Sequence, residues 1–147
     1  MLKFPRHNGS VLVVDDDEDF RLFVHGFLTC EGIPCTTADS VEEARQTLQS
    51  KQISLVLVDC VLRGEGSGMD LLAYCKRKFP LVPVIMMSGL PFGWRLEAAL
   101  TGADGCLEKP FDATHLVRLV RQWLKQVDRT PKIFLPGRVE EVLTLVS

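Results

Sequence analysis

The sequence lacks the features of a disulfide-stapled or zinc-binding protein. Its five cysteines are an odd number, and none of them forms a Cys-x-x-Cys pair. Small secreted domains and zinc ribbons both show paired cysteines at short, regular spacings. We therefore expect reduced thiols that pack as small buried apolar side chains, namely Cys30, Cys35, Cys60, Cys75 and Cys106.

Signals for export and membrane insertion are also missing. No apolar run approaches the roughly 20 residues that span a bilayer. Residues 1–10 contain Lys3, Arg6 and His7 but no apolar core of a signal peptide. The formal net charge of −2 lacks the basic excess that non-specific nucleic-acid binding requires. We expect a cytoplasmic protein that binds neither nucleic acid nor membranes directly.

Two periodicities of apolar residues alternate along the 147-residue chain. Short β-branched runs alternate with segments whose apolar residues recur at helical spacing. This order predicts an α/β fold in which helices cover both faces of a parallel sheet. The predicted strands are residues 11–14, 33–37, 53–58, 82–87 and 106–107, and the helices lie around residues 20–28, 41–48, 69–79, 94–100 and 113–127.

The first predicted helix begins with acidic residues and carries a wide apolar face. Asp17, Glu18 and Asp19 are interpreted as a helix start, where negative charge is stabilised by the helix dipole. The apolar face would pack against the sheet, and its members are Phe20, Phe23, Val24, Phe27 and Leu28.

Polar residues follow the predicted strands at the points where the strands end. Asp15 and Asp16 follow the first strand, Asp59 the third, Ser88 the fourth and Lys109 the fifth. Ligands of open parallel sheets bind at these carboxyl ends. A divalent metal held by neighbouring acids, with a hydroxyl donor and a cation, is what phosphoryl transfer to a carboxylate requires. Oxygen ligands favour Mg²⁺ for this role.

Four segments resemble the signature segments of response-regulator receiver domains of bacterial two-component systems. They are VLVVDD at 11–16, LVLVD at 55–59, VIMMS at 84–88 and GADGCLEKPF at 102–111. The resemblance covers residues 10–127, and four segments in the right order are a specific signal. It implies a flavodoxin-like, doubly wound, five-stranded parallel sheet in the order 2-1-3-4-5.

The resemblance also implies a metal site and a phosphoacceptor. Asp59 would accept the phosphoryl group and ligate Mg²⁺. Asp16 would be a second direct ligand, Asp15 would act through a coordinated water, and the backbone carbonyl of Val61 would be the third protein ligand.

Ser88 and Lys109 would contact phosphoryl oxygens, and the Lys109-Pro110 bond resembles one that is cis in the family. The donor would be a histidine kinase or a histidine phosphotransfer protein. The chain would catalyse only its own phosphorylation and dephosphorylation. Phosphorylation would alter partner binding, and a homodimer could form through the face of the fourth and fifth helices.

Departures from the family pattern keep two alternatives open. Arg63 stands where a proline is common, and Cys106 replaces the aromatic residue of the switch, for which Phe92 or Trp94 could substitute. These departures motivate one alternative, a receiver-like binding module that is not phosphorylated, although the acid pair, the acceptor and the lysine of the switch are all present. The Asp-x-Asp of residues 15–17 would also suit a phosphohydrolase resembling the haloacid dehalogenase group, although that scheme leaves Asp59 unexplained.

Residues 128–147 form a separate segment in the sequence. Pro131 and Pro136-Gly137 interrupt it, and apolar residues then recur at helical spacing. We predict a C-terminal tail with a short amphipathic helix, which docks on the domain or contacts a partner.

Overall fold

The computed structural model describes residues 9–90 and 93–129. These residues form one parallel sheet with the strand order β2-β1-β3-β4-β5, which confirms the predicted topology. The strands are β1 (Ser10–Val14), β2 (Cys35–Ala38), β3 (Ile53–Asp59), β4 (Val84–Ser88) and β5 (Gly105–Glu108). The helices are α1 (Glu18–Cys30), α2 (Val41–Ser50), α3 (Gly68–Lys78), α4 (Trp94–Thr101) and α5 (Ala113–Arg129).

The predicted boundary at residue 127 falls inside a helix. Because α5 continues to Arg129, the helix extends two residues beyond that boundary. From residue 130 onwards the predicted amphipathic tail lies outside the described residues, as does Phe92. Among the residues that are described, no helix has the length and apolar content needed to cross a membrane.

Each face of the sheet has its own apolar core, because successive side chains of a strand point to opposite faces. Leu12, Val14, Val56 and Val58 pack with the buried residues of α2, α3 and α4. The alternate strand residues, among them Val11, Val13, Leu55 and Leu57, pack with those of α1 and α5. The central strands β1 and β3 are therefore apolar on both faces, and this explains why the apolar run in each strand is continuous up to the acid at its end.

Side-chain caps fix the helix starts that surround the carboxyl edge of the sheet. Asp17 accepts hydrogen bonds from the backbone N–H groups of Asp19 (3.0 Å) and Phe20 (3.3 Å), which confirms its interpretation as a helix-start residue. Ser67 and Asp70 form a reciprocal capping box at α3. These caps place helix N-termini beside the polar residues at the strand ends.

The predicted apolar face of α1 is wrong at two positions. Val24 and Leu28 are buried, but Phe23 and Phe27 are 44% and 41% exposed. Their rings lie against each other, with centroids 4.8 Å apart. Since α1 packs on the sheet and on α5 through a narrow stripe, residues at the flank of the same apolar face remain in solvent.

The cysteines are free thiols, as expected, but not all of them are buried. Burial raises the pKa of Cys35 to about 12 and is the main cause that raises the pKa values of Cys60 and Cys75 to about 11. These three thiols are therefore poor nucleophiles at neutral pH. Cys30, at the end of α1, is exposed, so the prediction that it is buried was wrong.

Candidate functional site

The ends of β1 and β3 bring two carboxylates to one ammonium group. Val14 of β1 lies opposite Val58 of β3 in the parallel register, so Asp15 and Asp59 leave the sheet side by side. The Nζ of Lys109 donates to Asp15 Oδ2 at 2.6 Å and to Asp59 Oδ2 at 2.6 Å. These contacts join residues that are 94 and 50 positions apart in the chain. Three of the predicted site residues therefore form one charged cluster.

The three groups of this cluster influence one another's charge. Burial raises the pKa of Asp15, whose side chain is 1% exposed, and the hydrogen bond from Lys109 offsets only part of that effect. Burial lowers the pKa of Lys109, but its hydrogen bonds to Asp15 and Asp59 outweigh burial and the pKa is raised overall. Lys109 is thus held in its protonated form between two acids.

Aromatic side chains position Lys109 from the other side. The Lys109 Nζ lies 4.0 Å from the centroid of the Phe20 ring, a cation–π contact. Phe20 in turn meets the ring of Phe111 edge to face, with centroids 5.8 Å apart. The Lys109-Pro110 peptide is cis, as the resemblance implied. Phe20, which the sequence assigned to the core, is therefore also part of the site.

Ser88 lies at the end of β4, next to the charged cluster. Its carbonyl accepts a hydrogen bond from the backbone N–H of Lys109 at 2.9 Å, and its side chain is buried. The Ser88 Oγ accepts from the backbone N–H of Leu90 at 2.9 Å. Ser88 therefore occupies the strand end between those that carry Asp59 and Lys109.

Two acids bind the loop between β3 and α3. Asp59 Oδ1 accepts a hydrogen bond from the backbone N–H of Val61 at 2.8 Å. Asp16 Oδ2 accepts from the backbone N–H of Arg63 at 3.0 Å and lies 3.3 Å from the Arg63 Nε. Asp16 is thus tied to Arg63, whereas Asp15 and Asp59 are tied to Lys109. The Arg63 contact was missed from the sequence, where this residue was noted only as a departure from the family pattern.

The oxygen donors at this edge suit a hard divalent cation. Mg²⁺ prefers carboxylate and carbonyl oxygens and usually keeps several waters. Within residues 9–90 and 93–129, no group of three or more His, Cys, Asp or Glu side chains is arranged to hold a metal by itself. The metal set of Asp15, Asp16, Asp59 and the Val61 carbonyl therefore stays a prediction from the sequence.

The switch position and its predicted aromatic substitute both lie against the apolar core. Cys106 on β5 is half-buried, and burial raises its thiol pKa. Trp94, at the start of α4, is buried in the same core cluster against which Cys106 packs. Trp94 is therefore a core residue in this structure.

Comparisons with known proteins agree with this fold. The sequence model of the response regulator receiver domain matches residues 11–121. Nitrogen assimilation regulatory protein NtrX of Azorhizobium caulinodans is 34% identical over 79% of this chain. DNA-binding transcriptional regulator NtrC of Escherichia coli is 36% identical over 78% of it. The matches cover 26% and 24% of those two proteins, so the chain spans about a quarter of their length.

Solved structures give the same assignment. The receiver domain of NtrX from Brucella abortus is 34% identical, with a TM-score of 0.72 over 79% of this chain and 98% of that one. A CheY-like receiver domain protein from Methanospirillum hungatei, at 23% identity and a TM-score of 0.77, supports the fold alone. The comparisons give no support to the haloacid dehalogenase-like alternative. The chain belongs to the response regulator receiver domain family, the phosphoacceptor switches of two-component signalling.

Proposed function

We propose that Asp59 is the phosphoacceptor of this receiver domain and that the donor is a phosphohistidine of a histidine kinase or histidine phosphotransfer protein. The observation that carries the proposal is the shared contact of Asp59 and Asp15 with the Lys109 ammonium group. A cation fixed on the acceptor carboxylate reduces its repulsion of an incoming phosphoryl group. The same cation also remains in place to meet the charge that the product carries.

Solvent access favours Asp59 over Asp15 as the acceptor. The Asp59 side chain is 14% exposed, whereas that of Asp15 is 1% exposed. An attacking carboxylate oxygen must lie in line with the phosphorus and its leaving group, which a fully buried acid cannot offer to a bulky donor. Asp15 is therefore assigned a supporting role beneath the acceptor.

The chain's own groups can assist the transfer at several atoms. A carboxylate oxygen of Asp59 forms the new P–O bond while the P–N bond to the donor imidazole breaks. The electron pair of that bond stays on the imidazole, which takes a proton from solvent and leaves as the neutral ring. The backbone N–H of Val61 donates a hydrogen bond to Asp59 Oδ1, and this bond holds the carboxylate in place during the attack. Lys109 and the Ser88 hydroxyl lie on the strand ends from which they can meet phosphoryl oxygens.

We assign Mg²⁺ to Asp16, Asp59 and the carbonyl of Val61, with Asp15 acting through a water. When bound, Mg²⁺ neutralises charge on the carboxylates and on the phosphoryl oxygens. The donor set supports this choice because it consists of oxygen atoms alone. In this scheme the domain catalyses only its own phosphorylation and dephosphorylation, and has no other substrate.

We propose the face of α4 and α5 as the surface that phosphorylation modulates and through which a second copy binds. Leu96 and Leu100 of α4 are exposed one helical turn apart, and the Leu100 side chain is 80% exposed. Beside them Arg95 and Glu108 form an exposed ion pair at 3.2 Å. Exposed apolar residues rimmed by charged ones are typical of a protein–protein contact, and in a dimer with two-fold symmetry both copies use the same surface.

Phosphorylation by a small-molecule donor tests the proposed acceptor. The full chain is incubated with acetyl phosphate and MgCl₂, and its intact mass is measured. Wild type and the control Asp39→Asn, which alters an exposed acid after β2, are expected to gain one phosphoryl group. Asp59→Asn is expected to gain none. Labelling of Asp59→Asn to the wild-type extent would remove Asp59 from this role.

A further inference from the structure

Arg63 contacts one oxygen of Asp16 in two ways, through a backbone hydrogen bond and through a side-chain ion pair. Its backbone N–H and its Nε both approach Asp16 Oδ2, at 3.0 Å and 3.3 Å. The two residues are 47 positions apart, so the contact fastens the loop after β3 to the end of β1. A proline at position 63, common in this family, could provide neither donor. The contact is thus a property of this sequence.

Three basic side chains contact the acids of the site, and only that of Arg63 contacts Asp16 among the contacts described. Lys109 binds the carboxylates of Asp15 and Asp59, and Arg21 donates to the backbone carbonyl of Asp15 at 2.7 Å. Arg63 contacts Asp16, the acid to which the proposed function gives a direct bond to Mg²⁺. A guanidinium group on a ligand oxygen competes with a metal ion for that oxygen's charge.

We infer that Arg63 sets the Mg²⁺ affinity of the site by holding Asp16 Oδ2 in competition with the metal. The inference rests on the metal site of the proposed function. The Arg63 side chain is 89% exposed and that of Asp16 is 19% exposed, so water screens the pair and the competition is weak. Arg63 therefore raises the Mg²⁺ concentration that the site needs without preventing binding. In this scheme the Arg63 guanidinium leaves Asp16 Oδ2 when Mg²⁺ binds.

The loop's backbone supports an exchange of this kind. Gly64 and Gly66 both have φ of 88°, a conformation that glycine adopts without strain. Apart from its two neighbours in the chain, no residue lies within 4 Å of the position that a Cβ on Gly64 would occupy. The chain next to Arg63 is therefore open to solvent, so the side chain has space to leave Asp16.

An NMR titration of the full chain with MgCl₂ tests the inference. Two-dimensional ¹H–¹⁵N spectra give the dissociation constant of Mg²⁺, and the backbone and Nε signals of Arg63 report its contact with Asp16. We expect Arg63→Gln to lower the dissociation constant roughly two- to five-fold, the range for loss of one exposed ion pair. The matched control Arg121→Gln alters another exposed arginine, which pairs with Glu31 at 2.8 Å, and is expected to leave the constant unchanged.

A double-mutant cycle separates this inference from the proposed function. In an Asp16→Asn background, Mg²⁺ binding is expected to weaken strongly and Arg63→Gln is expected to add no affinity. Equal or weaker Mg²⁺ binding by Arg63→Gln in the otherwise wild-type chain would overturn the role of Arg63 alone. Absence of Mg²⁺-dependent shifts in the wild type, or binding unaffected by Asp16→Asn, would overturn the metal site itself and the inference with it.

Discussion

At the scale of single residues, the site places two acids against a single lysine in a largely buried setting. Asp15 loses most of its hydration, and its pKa is raised because burial disfavours the ionised form more than Lys109 stabilises it. Buried charges of this kind are seldom selected for stability, since apolar replacements are often as stable. The cluster is therefore best explained by its chemistry, and it should reduce the stability of the fold.

Replacement of Asp15 by asparagine should stabilise the protein at neutral pH. A folded-state pKa above the ordinary 3.8 means that the stability from Asp15 is fully present below that value and is lost as the pH rises through the folded pKa. We expect Asp15→Asn to raise the thermal midpoint by a few degrees at pH 7, with the gap closing toward pH 4. Thermal unfolding, monitored by circular dichroism at pH 7 and at pH 4, measures the difference between the two midpoints at each pH. A lower midpoint at pH 7 would contradict this explanation.

Removal of the lysine charge should have the opposite effect. The pKa of Lys109 is raised, so its contribution to stability is fully present below the ordinary 10.5 and is lost as the pH rises through the folded pKa. At pH 7 we expect Lys109→Met to lower the free energy of unfolding by about 2 kcal/mol, because two acids lose their partner. Urea unfolding would show it. The double variant Asp15→Asn/Lys109→Met should recover part of the free energy of unfolding that Lys109→Met loses. An equal loss in Lys109→Met and in the double variant would argue against the contact between Asp15 and Lys109.

At the scale of elements, the sequence predicted the strands and helices well because each has a clear periodicity and a clear end. The buried runs before Asp15 and Asp59 left little choice of structure. The predicted burial of Phe23 and Phe27 failed because the apolar pattern of α1 is wider than the stripe that packs. Strand starts were also misplaced beside Pro34 and Pro83, where apolar residues continue outside the ladder.

The start of α3 shows how an element's placement affects the site. A Cβ on Gly68 would lie 2.0 Å from the carbonyl oxygen of Asp59, so a larger residue must move the main chain of β3 or α3. We expect Gly68→Ala to lower the free energy of unfolding by about 2 kcal/mol or more and to reduce labelling by acetyl phosphate.

Gly26→Ala is the matched control for Gly68→Ala. Gly26 lies inside α1, and no atom lies within 4 Å of its Cβ position. Alanine there should raise the free energy of unfolding by about 0.5–1 kcal/mol because it favours the helix. Similar effects of the two substitutions in urea unfolding would show that the close approach of Gly68 does not constrain the chain.

At the scale of the whole molecule, the alternation of strands and helices determined the topology, and the topology brought the strand ends together. That is why Asp15, Asp59, Ser88 and Lys109 could be placed from the sequence. Contacts between side chains from separate segments of the chain could not be predicted in this way. The Arg63–Asp16 pair and the Phe20–Lys109 contact depend on loop paths and side-chain rotamers that carry no periodic signal.

Self-association through the α4–α5 face is expected to depend on activation. With beryllofluoride and MgCl₂ as a stable mimic of the phosphorylated state, sedimentation velocity should show the wild type shifting toward a dimer. Leu100→Glu should remain monomeric because it places a charge in the apolar contact. Leu81→Glu alters another exposed leucine, which lies outside α4, and should dimerise like the wild type. Dimerisation of Leu100→Glu at wild-type concentrations would exclude this face.

The most direct test of the phosphoacceptor site is chemical trapping of the acyl phosphate. Borohydride reduces an aspartyl phosphate to homoserine, so peptide sequencing by mass spectrometry locates the modified residue in the chain phosphorylated with acetyl phosphate and MgCl₂. We expect homoserine at position 59, next to the ammonium group of Lys109. Homoserine at position 15 or 16 instead, or unmodified aspartate at 59 in a chain that has gained a phosphoryl group, would contradict the account.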